Sequence, residues 1–561
     1  MSKPLSVVFY WHMHQPFYRD EVTGQYALPW VYLHAIKEYT DMAAILEQVP
    51  DARAVVNFTP SLIVQIEDYA MHIKKWLNGE GELPDPLLAA LASTDKCFDP
   101  SFRQHLLETC FRLHHDRNLH RYPSYSRLWH LAEHAKHHKG SDYLGPNYFT
   151  DLVTWYHLGW LAETERHQNF IARRLIEKGQ NFTRQDRRDL VSLIGNLLED
   201  VTKGYRKLAE AGKIELSTTP YAHPIIPLML DFKTAQETVP DALIPDEPYP
   251  GGEERARDHI ERGKRTHSRV FGHTAHGCWP AEGAVSKDTF RLIDQAGFSW
   301  CATGEGVLHN SLGYNLRDHY GAADLYHPWR VGKGGLSCFF RDDKLSDLIG
   351  FEYSNWDTKD AVANFMHELA GIRHHTQGME APVVSIIMDG ENAWEHYHEN
   401  GIPFLSQIYQ AIIEHPDYEL TTFSSYLGKH AKCPRLKKVV SGSWVHGTLS
   451  TWIGDEAKTL GWELLIAAKH AFDKAKASGG LGPEQLGAAE EQLRICEGSD
   501  WCWWFGDYNP GEAVRDFDSL YRKHLMKLYS LIDVPAPAAL SANISTGGGD
   551  AEGGGTMRRN S

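Results

Sequence analysis

The sequence predicts an α/β protein in which a barrel-like β/α domain with helical insertions is followed by an α-helical region. Short apolar runs alternate with long stretches of helical periodicity, which is typical of a parallel sheet covered by helices on both faces. The alternation extends over some 430 residues, which is too long for a small open sheet. The strand candidates are LSVVFYWH (5–12), ARAVVNFT (52–59), KIELSTT (213–219), FSWCAT (298–303), LSCFFRD (336–342) and PVVSIIMD (382–389).

The chain is long enough for more than one domain, because a single core usually stops growing at about 250–300 residues and this chain has 561. We expect the β/α domain over residues 1–430, with a helical insertion near 67–150 that is rich in His, Tyr and charge. Strand patterns become rare after about residue 430, so residues 431–534 predict a helical domain. Residues 535–561 are rich in Pro and Ala and then in Gly and Ser, and we expect them to be disordered.

Composition and charge exclude several classes of protein. The 57 basic and 73 acidic residues give a net charge of −16, which argues against nucleic acid or an anionic membrane as a partner. No apolar run reaches the roughly 18 residues of a membrane-spanning helix, and the first residues lack the pattern of a signal peptide. The eight cysteines are scattered without a CxxC pair, so we expect reduced thiols in a cytoplasmic protein.

Five polar and aromatic clusters stand out, and four of them follow predicted strands. In parallel β/α folds the loops at the carboxyl ends of strands carry the chemistry. The clusters combine carboxylates with histidines and flat aromatic rings, which is what a sugar site needs, since two carboxylates can break a glycosidic bond. They are WHMHQP (11–16), STTPYAHPIIP (217–227), GCWPAEGAVS (277–286), MDGENAWEHY (388–397) and EGSDWCWWFGD (497–507).

Each cluster also has a plain structural explanation. A lone Glu282 is compatible with an acid at a helix N-terminus, and Asp389 with a cap for the following turn. The tryptophans of 497–507 are compatible with core packing. His12 and His14 form an HxH pair, a pattern found both among metal ligands and among hydrogen-bonded core residues. The joint occurrence of all five clusters favours a functional site.

The ordered set HMHQP, GKIELSTTPYAHPIIPL, CWPAEGAVS, MDGENAWEHY and SDWCWWFGD resembles the five signature regions of glycoside hydrolase family 57. The resemblance covers residues 5 to about 530 and is greatest to the amylopullulanase-like and α-amylase-like branch. It implies an incomplete (β/α)7 barrel with helical insertions, followed by an α-helical C-terminal domain that completes the active site. It also implies a retaining enzyme that acts on α-glucans without a metal or other cofactor.

Carried over by motif, the resemblance makes Glu282 the nucleophile and Asp389 the general acid/base. Such an acid needs a raised pKa, which an apolar pocket and an ionised Glu282 nearby would supply. Glu391, Asn392 and Trp394 are expected to shape its surroundings. Trp279 and the tryptophans of 501–504 are expected to form aromatic walls that stack on sugar around the cleaved bond. The predicted substrate-binding residues are His12, His14, Gln15, His223, Trp279, Asp347, Trp394, Trp501, Trp503 and Trp504.

A second acidic stretch, FFRDDKLSDLIGFEY (339–353), competes for the acid/base role. Asp347 follows a predicted strand there, and Arg341 or Asp342 is a candidate for orienting the nucleophile. We prefer Asp389 because its motif match is tighter, and we expect Asp347 to be a neighbour of the site.

The expected function is hydrolysis of α-1,4-glucosidic bonds in glycogen, starch or maltodextrin. A 4-α-glucanotransferase or branching-type transfer on the same substrates is the alternative, because all these reactions share one covalent intermediate. Two other classes stay open: a metal-dependent hydrolase built on His12 and His14, and a non-catalytic glucan-binding protein. The intact pair of carboxylates disfavours the last.

Overall fold

The computed structural model describes residues 4–93, 99–137, 140, 143–317, 322–391, 394–430 and 433–549. Within them, all six predicted strands are present, together with five short strands that the sequence patterns did not reveal. The strands are β1 Leu5–Met13, β2 Arg19–Asp20, β3 Gln25–Tyr26, β4 Ala54–Phe58, β5 Ile214–Thr218, β6 Gly277–Cys278, β7 Trp300–Thr303, β8 Trp329–Arg330, β9 Ser337–Phe340, β10 Val383–Asp389 and β11 Tyr418–Leu420.

The main sheet curls into a barrel of seven parallel strands in the order β10-β1-β4-β5-β6-β7-β9. A single bridge between Arg341 and Ser385 joins β9 to β10, where the Asp342 N–H donates to the Ser385 carbonyl at 2.8 Å. Strand β8 runs antiparallel to β9, and β11 pairs with the start of β1. The barrel prediction is therefore confirmed among the described residues, and one weak seam makes it incomplete.

Strand β1 lies at the centre of the sheet, and all nine of its residues are buried. It pairs with β10 over Ser6–His12 and with β4 over Tyr10–Met13. A strand covered on both faces reads as a continuous apolar run, which is why LSVVFYWH predicted it. The register places His12 beside Asp389, so two of the predicted site residues meet at one edge of the sheet.

Helices cover the sheet and form a large insertion between β4 and β5. Helix α10 illustrates how the sequence determines their bounds: the Thr183 side chain and Asp186 form a reciprocal capping box at its start, which satisfies N–H groups without helical partners. The helices are α1 Trp30–His34, α2 Thr40–Gln48, α3 Pro60–Leu77, α4 Pro86–Ala92, α5 Pro100–Thr109, α6 Pro123–His137, α7 Pro146–Gly159, α8 Glu163–Gln168, α9 Phe170–Lys178, α10 Arg184–Glu210, α11 Ile226–Leu230, α12 Gly252–Phe271, α13 Lys287–Gln295, α14 Glu305–Leu312, α15 Asp343–Asp347, α16 Thr358–His375, α17 Ile402–Glu414, α18 Phe423–Lys429, α19 Glu456–Ser478, α20 Pro483–Cys496, α21 Asp500–Trp504 and α22 Gly511–Leu531.

The tail after Pro535 differs from its prediction. Leu540 and Ile544 are buried, and the N–H groups of Ile544 and Ser545 donate to the Asp518 carboxylate on α22 at 2.7 and 3.2 Å. The Pro/Ala-rich composition hides these two apolar anchors, so the expectation of disorder is wrong for residues 535–549. Residues 550–561 lie outside the described part of the chain.

The remaining predictions concern membranes and thiols. Among the described residues, no helix combines the length and the apolar content that crossing a bilayer requires. Seven of the eight cysteines lie in described segments, and none of these seven forms a disulfide. Cys97 lies outside the described residues.

Candidate active site

The tips of β1 and β10 place the acid Asp389 beside the histidine motif. The Gly390 N–H donates to the His12 carbonyl at 2.7 Å, which continues the ladder past the last paired residue. A Cβ atom at position 390 would lie 2.0 Å from Sδ of Met13. A larger residue between Asp389 and Glu391 would therefore displace the buried Met13 side chain, which explains why the polar cluster after the strand is broken by a glycine.

Glu282 lies in a tight turn after β6 and has left-handed backbone angles, φ 58° and ψ 23°. Such a conformation costs a non-glycine residue about 1–3 kcal/mol, and it occurs preferentially at functional sites. Trp444 holds the turn in two ways: its backbone N–H donates to the Glu282 carbonyl at 3.1 Å, and its indole Nε1–H donates to Oε2 at 2.9 Å. The carboxylate keeps 13% of its surface exposed.

Three stacked histidines lie beside Glu282. The rings of His14 and His223 are 3.8 Å apart, and His12 stacks on His223 at 5.1 Å. Nδ1 of His223 lies 3.8 Å from Oε1 of Glu282. The predicted residues His12, His14, His223, Glu282 and Asp389 are thus brought together.

The hydrogen bonds of Asn57 determine the tautomers of two of these rings. The Asn57 Nδ2 group donates to Ser217, and its Oδ1 accepts from Thr219, which identifies Oδ1 as the amide oxygen. An amide oxygen can only accept, so Nδ1 of His12, 2.7 Å away, carries the hydrogen. Burial and the neighbouring His14 lower the pKa of His12 to about 3, so its Nε2 carries no proton. Nε2–H of His223 then donates to Nε2 of His12 at 3.1 Å.

The helical region completes this chain of hydrogen bonds. Because Nε2 of His223 carries the hydrogen, its Nδ1 accepts from the Ser499 hydroxyl at 2.8 Å. Nε2 of His14 lies 2.7 Å from Oδ1 of Asp500, and this carboxylate raises the pKa of His14 although burial opposes the shift. Glu497 anchors the segment, since it accepts from Arg255 at 2.7 Å and from Tyr249 at 2.6 Å.

Electrostatics separate the roles of the two predicted catalytic carboxyl groups. Burial raises the pKa of Asp389 well above its ordinary value, and the charges of Glu391 and Glu282 raise it further. Arg341 opposes this shift. Two interacting groups whose environments differ in this way form the usual basis of acid and nucleophile assignments. Burial and the neighbouring negative charges therefore favour the protonated form of Asp389 beside the partly exposed Glu282.

Glu391 lies behind the histidine cluster and binds the backbone of His14. Its Oε1 accepts from the His14 N–H at 2.8 Å and from the hydroxyl of Tyr39, which lies in a π-helical turn. Burial raises its pKa. The prediction that Glu391 shapes the site therefore agrees with its contacts, whereas Asn392 lies outside the described residues.

Asp347 is held by Arg341, whose Nη2 donates to it at 2.7 Å. The guanidinium also donates to Asp343 at 2.7 Å and to the Ile387 carbonyl of β10 at 2.9 Å. Arg341 stacks over the Trp444 ring at 5.6 Å. Asp347 is thus a neighbour of the site through Arg341, whereas Asp342 caps α15 and accepts from Tyr326.

The predicted aromatic walls divide into two groups. Trp279, Trp394 and Trp501 are at most 1% exposed. The expectation of stacking on sugar is therefore wrong for Trp279 and Trp501, and Trp394 has no free surface with which to bind substrate. Trp279 packs under the site against His12 and Trp444; Trp394 packs on Trp11, and Trp501 on Tyr521. Their burial is core packing, which the sequence pattern could not distinguish from stacking.

Trp503 and Trp504 are only half-buried. The Trp503 ring lies 5.8 Å from Trp452, and the Trp504 ring stacks on Phe517 at 4.7 Å. Gln15 is buried and accepts from the Tyr18 hydroxyl at 3.0 Å. Among the predicted binding residues, His14, Asp347, Trp503 and Trp504 therefore keep surface that can meet a ligand.

One set of described residues in the site has the composition of a metal site. Ligand atoms of His14, His223 and Asp500 lie within 4.8 Å of one another. Both ring nitrogens of His223 already form hydrogen bonds, with His12 and with Ser499. A metal ion would have to replace at least one of these bonds, so the residues fit a hydrogen-bonded cluster better than a cation.

Sequence reasoning missed the residues that join the site from a distance, namely Asn57, Trp444, Ser499 and Asp500. Ser499 and Asp500 fall inside a flagged cluster, but the tryptophans beside them gave the stronger signal. Trp444 follows a short GS pair, and nothing local marks it. The contact that it makes spans 162 positions.

A partly exposed carboxylate, a buried carboxyl group with a raised pKa and a polar histidine cluster lie together at the end of a β/α barrel, an arrangement that agrees with a glycoside hydrolase. A family model described as glycosyl hydrolase family 57 matches residues 8–436, and the chain belongs to this family. No curated protein sequence matches the chain.

Solved structures of low sequence identity share the fold, and three of them are compared with this chain. The α-amylase AmyC of Thermotoga maritima is 13% identical with a TM-score of 0.58, and the match covers 94% of this chain and 93% of that one. The branching enzyme of Pyrococcus horikoshii is 14% identical with a TM-score of 0.58 and 96% of each chain covered. The 4-α-glucanotransferase of Thermococcus litoralis is 14% identical with a TM-score of 0.51, covering 94% of this chain and 60% of that one.

Proposed function

We propose that this enzyme cleaves α-1,4-glucosidic bonds of glycogen, starch or maltodextrin with retention of configuration. The observation that carries the proposal is the electrostatic coupling of two unlike carboxyl groups. Asp389 has a raised pKa partly because of Glu282, while Glu282 accepts a hydrogen bond from Trp444. A proton donor beside an oriented carboxylate is what the double-displacement mechanism requires.

In the first step, the Glu282 carboxylate attacks the anomeric carbon and the bond to the glycosidic oxygen breaks. Asp389 gives its proton to the departing oxygen, so the leaving chain is released as an alcohol. In the second step, Asp389 takes a proton from water, the water oxygen bonds to the anomeric carbon, and the bond to Glu282 breaks. We expect the two carboxyl groups to lie about 5–5.5 Å apart.

The surroundings support a neutral, hydroxyl-rich ligand. His14 is partly exposed and is held by Asp500, so its ring is suited to contact a sugar hydroxyl. Trp503 and Trp504 offer half-buried aromatic surface, to which pyranose C–H faces can stack. The substrate class is also suggested by the solved structures, whose titles name an amylase, a branching enzyme and a glucanotransferase.

Transfer to a second glucan chain is the second candidate, because two of these three titles name transferring enzymes. Hydrolysis and transfer share the first step, and they differ in whether water or a sugar hydroxyl attacks the intermediate.

The deciding experiment is incubation with maltoheptaose, followed by separation of the products by chain length. Glucose and products shorter than seven units support hydrolysis. A ladder that extends above seven units supports transfer instead. The Glu282→Gln variant serves as the matched control, and turnover by that variant at the wild-type rate would overturn the proposed site.

A further inference from the structure

The segment 441–447 forms a clamp over the turn that carries Glu282. Val285 and Gly442 form a two-way backbone bridge, with N–H to carbonyl distances of 2.8 and 3.1 Å. Beyond this bridge, Trp444 donates its own N–H to the Glu282 carbonyl at 3.1 Å. The clamp therefore binds the backbone at the left-handed Glu282 and again three residues after it.

The side chain of Trp444 is fixed as firmly as its backbone. The residue is buried, and its ring meets Trp279 edge-on at 5.2 Å. The Arg341 guanidinium covers the ring at 5.6 Å, and this guanidinium is itself bonded to Asp343 and Asp347. The attraction between the cation and the indole face, together with the edge-on contact to Trp279, favours the observed ring orientation. That orientation directs Nε1–H at Oε2 of Glu282, 2.9 Å away.

The clamp is in close contact with the barrel backbone after β7, and this contact restricts its movement. A Cβ atom at Gly304, directly after β7, would lie 2.5 Å from Cα of Trp444. Glycine at this position lets the two backbones touch. The Thr303 hydroxyl donates to the Gly283 carbonyl beneath the same turn. The donor on Trp444 is therefore preorganised, which is the condition under which a hydrogen bond to a changing charge affects rate.

We propose that Trp444 is a positioning residue that orients Glu282 and stabilises the carboxylate when it leaves the sugar in the second step. The inference rests on the proposed function of Glu282. In that step the bond between the anomeric carbon and the Glu282 oxygen breaks, and its electron pair returns to the carboxylate. The acceptor of the Trp444 N–H then changes from an ester oxygen of Glu282 to an ionised carboxylate oxygen, and this change strengthens the hydrogen bond.

This argument predicts an unequal effect on the two steps. Loss of the donor leaves the first attack little changed, because an unbonded carboxylate is at least as nucleophilic. It slows release of the sugar, because the departing carboxylate loses a charge-assisted partner. The variant Trp444→Phe should therefore accumulate the glycosyl-enzyme. On an activated aryl α-maltoside, kcat should fall about tenfold or more, while kcat/KM falls much less.

The test is stopped-flow measurement of aryl alcohol release, with melting temperature recorded for every protein. The expected result for Trp444→Phe is a burst of about one equivalent per enzyme, followed by slow turnover. The matched control is Trp155→Phe. Trp155 lies on α7, and its buried indole N–H donates to the Gly179 carbonyl at 2.7 Å, so this variant also removes one buried indole donor. We expect no burst increase in the control.

A second variant protects the test against misfolding. Replacement of Trp444 by 3-benzothienylalanine keeps the bicyclic shape and removes only the N–H group. Wild-type kcat without an enlarged burst in this protein overturns the role of Trp444. Failure of the wild-type enzyme itself to release aryl alcohol, or retention of full activity by Glu282→Gln, overturns the proposed function instead, so the two failures are distinguishable.

Discussion

Nε2 of His12 lies 3.1 Å from Nε2 of His223, so one ring donates and the other accepts. Burial lowers the pKa of both rings, that of His12 to about 3. The two neutral imidazoles belong to one hydrogen-bonded chain, with Asn57 at one end and Ser499 at the other. Both nitrogens of each ring are therefore used within the protein, and neither ring has a nitrogen left to bind a metal ion.

Removal of metal ions should leave activity unchanged. The protein is dialysed against a strong chelator and assayed on maltoheptaose, and bound metal is measured by elemental analysis. The nitrogens of His223 are already used by protein partners, so a tightly held ion is not expected. Loss of activity that zinc restores in one equivalent would instead favour the metal-dependent hydrolase and a site at His14, His223 and Asp500.

Azide should distinguish the two carboxyl groups. Asp389→Asn removes proton delivery but leaves the nucleophile, so an aryl α-maltoside should form the glycosyl-enzyme and azide should release it as the α-glycosyl azide. Glu282→Gln removes the attacking charge, and any azide product should be β. Product configuration is read by NMR. An α-azide from the Glu282 variant, with none from the Asp389 variant, would reverse the assignment.

Replacing Asp389 should stabilise the protein as the pH rises. The native pKa of Asp389 is raised, whereas the unfolded chain releases this proton near pH 4. Ionisation therefore favours unfolding, and stability contributed by the protonated form is lost as the pH increases above about 4. Asp389→Asn cannot ionise. Its melting temperature should exceed that of wild type at pH 7 and approach it at pH 4 or below.

The exposed Asp241 offers a control for that measurement. Asp241→Asn removes one carboxylate without a buried environment, so its melting temperature should follow wild type at both pH values. An Asp389→Asn protein that melts below wild type at pH 7 would contradict the raised pKa and the role as a proton donor.

The tryptophans of the helical region should separate into core and ligand-facing residues. Trp501 is buried against Tyr521, so Trp501→Ala should lower the free energy of unfolding by about 3–5 kcal/mol. Trp503 is half-buried, and Trp503→Ala should weaken oligosaccharide binding by about 1 kcal/mol. Chemical denaturation and the Michaelis constant are measured for both. An early-melting Trp503→Ala protein with an unchanged Michaelis constant would place that ring in the core.

Truncation should measure what the segment after Pro537 contributes to stability. A protein that ends at residue 549 keeps Leu540 and Ile544 and serves as the reference for melting temperature. Ending it at residue 537 removes the buried Leu540 and Ile544 and two N–H donors to Asp518. This should cost about 3 kcal/mol. Equal melting temperatures for the two truncated proteins would mean that the anchors contribute little.

The barrel could be predicted from the sequence because its longer strands are continuous apolar runs, as β1 is. Strand β6 was missed because it has only two residues, Gly277 and Cys278, which carry no periodicity. The predicted pair Glu282 and Asp389 is brought together with its histidines because each residue lies at or just after the end of a strand, and parallel strands end at one edge.

The rest of the site depends on contacts between residues far apart in the chain, which produce no recognisable local sequence pattern. Ser499 reaches His223 across 276 positions, and neither residue type predicts the other. Trp394 and Trp503 show the same aromatic signal, yet packing makes one core and leaves the other half-buried. Burial is decided by the elements that meet in space, which a single sequence does not specify.

The bond between His14 and Asp500 joins residues that are 486 positions apart. The chain is synthesised at about 5–20 residues per second, so the barrel residues are made first. His14 and His223 have no hydrogen-bond partners from the helical region until Ser499 and Asp500 have been made. The chain therefore gains its complete site only after almost all of it has been made and the helical region has docked. A nascent chain that still lacks this region therefore lacks the partners of His14 and His223, and its site is unfinished.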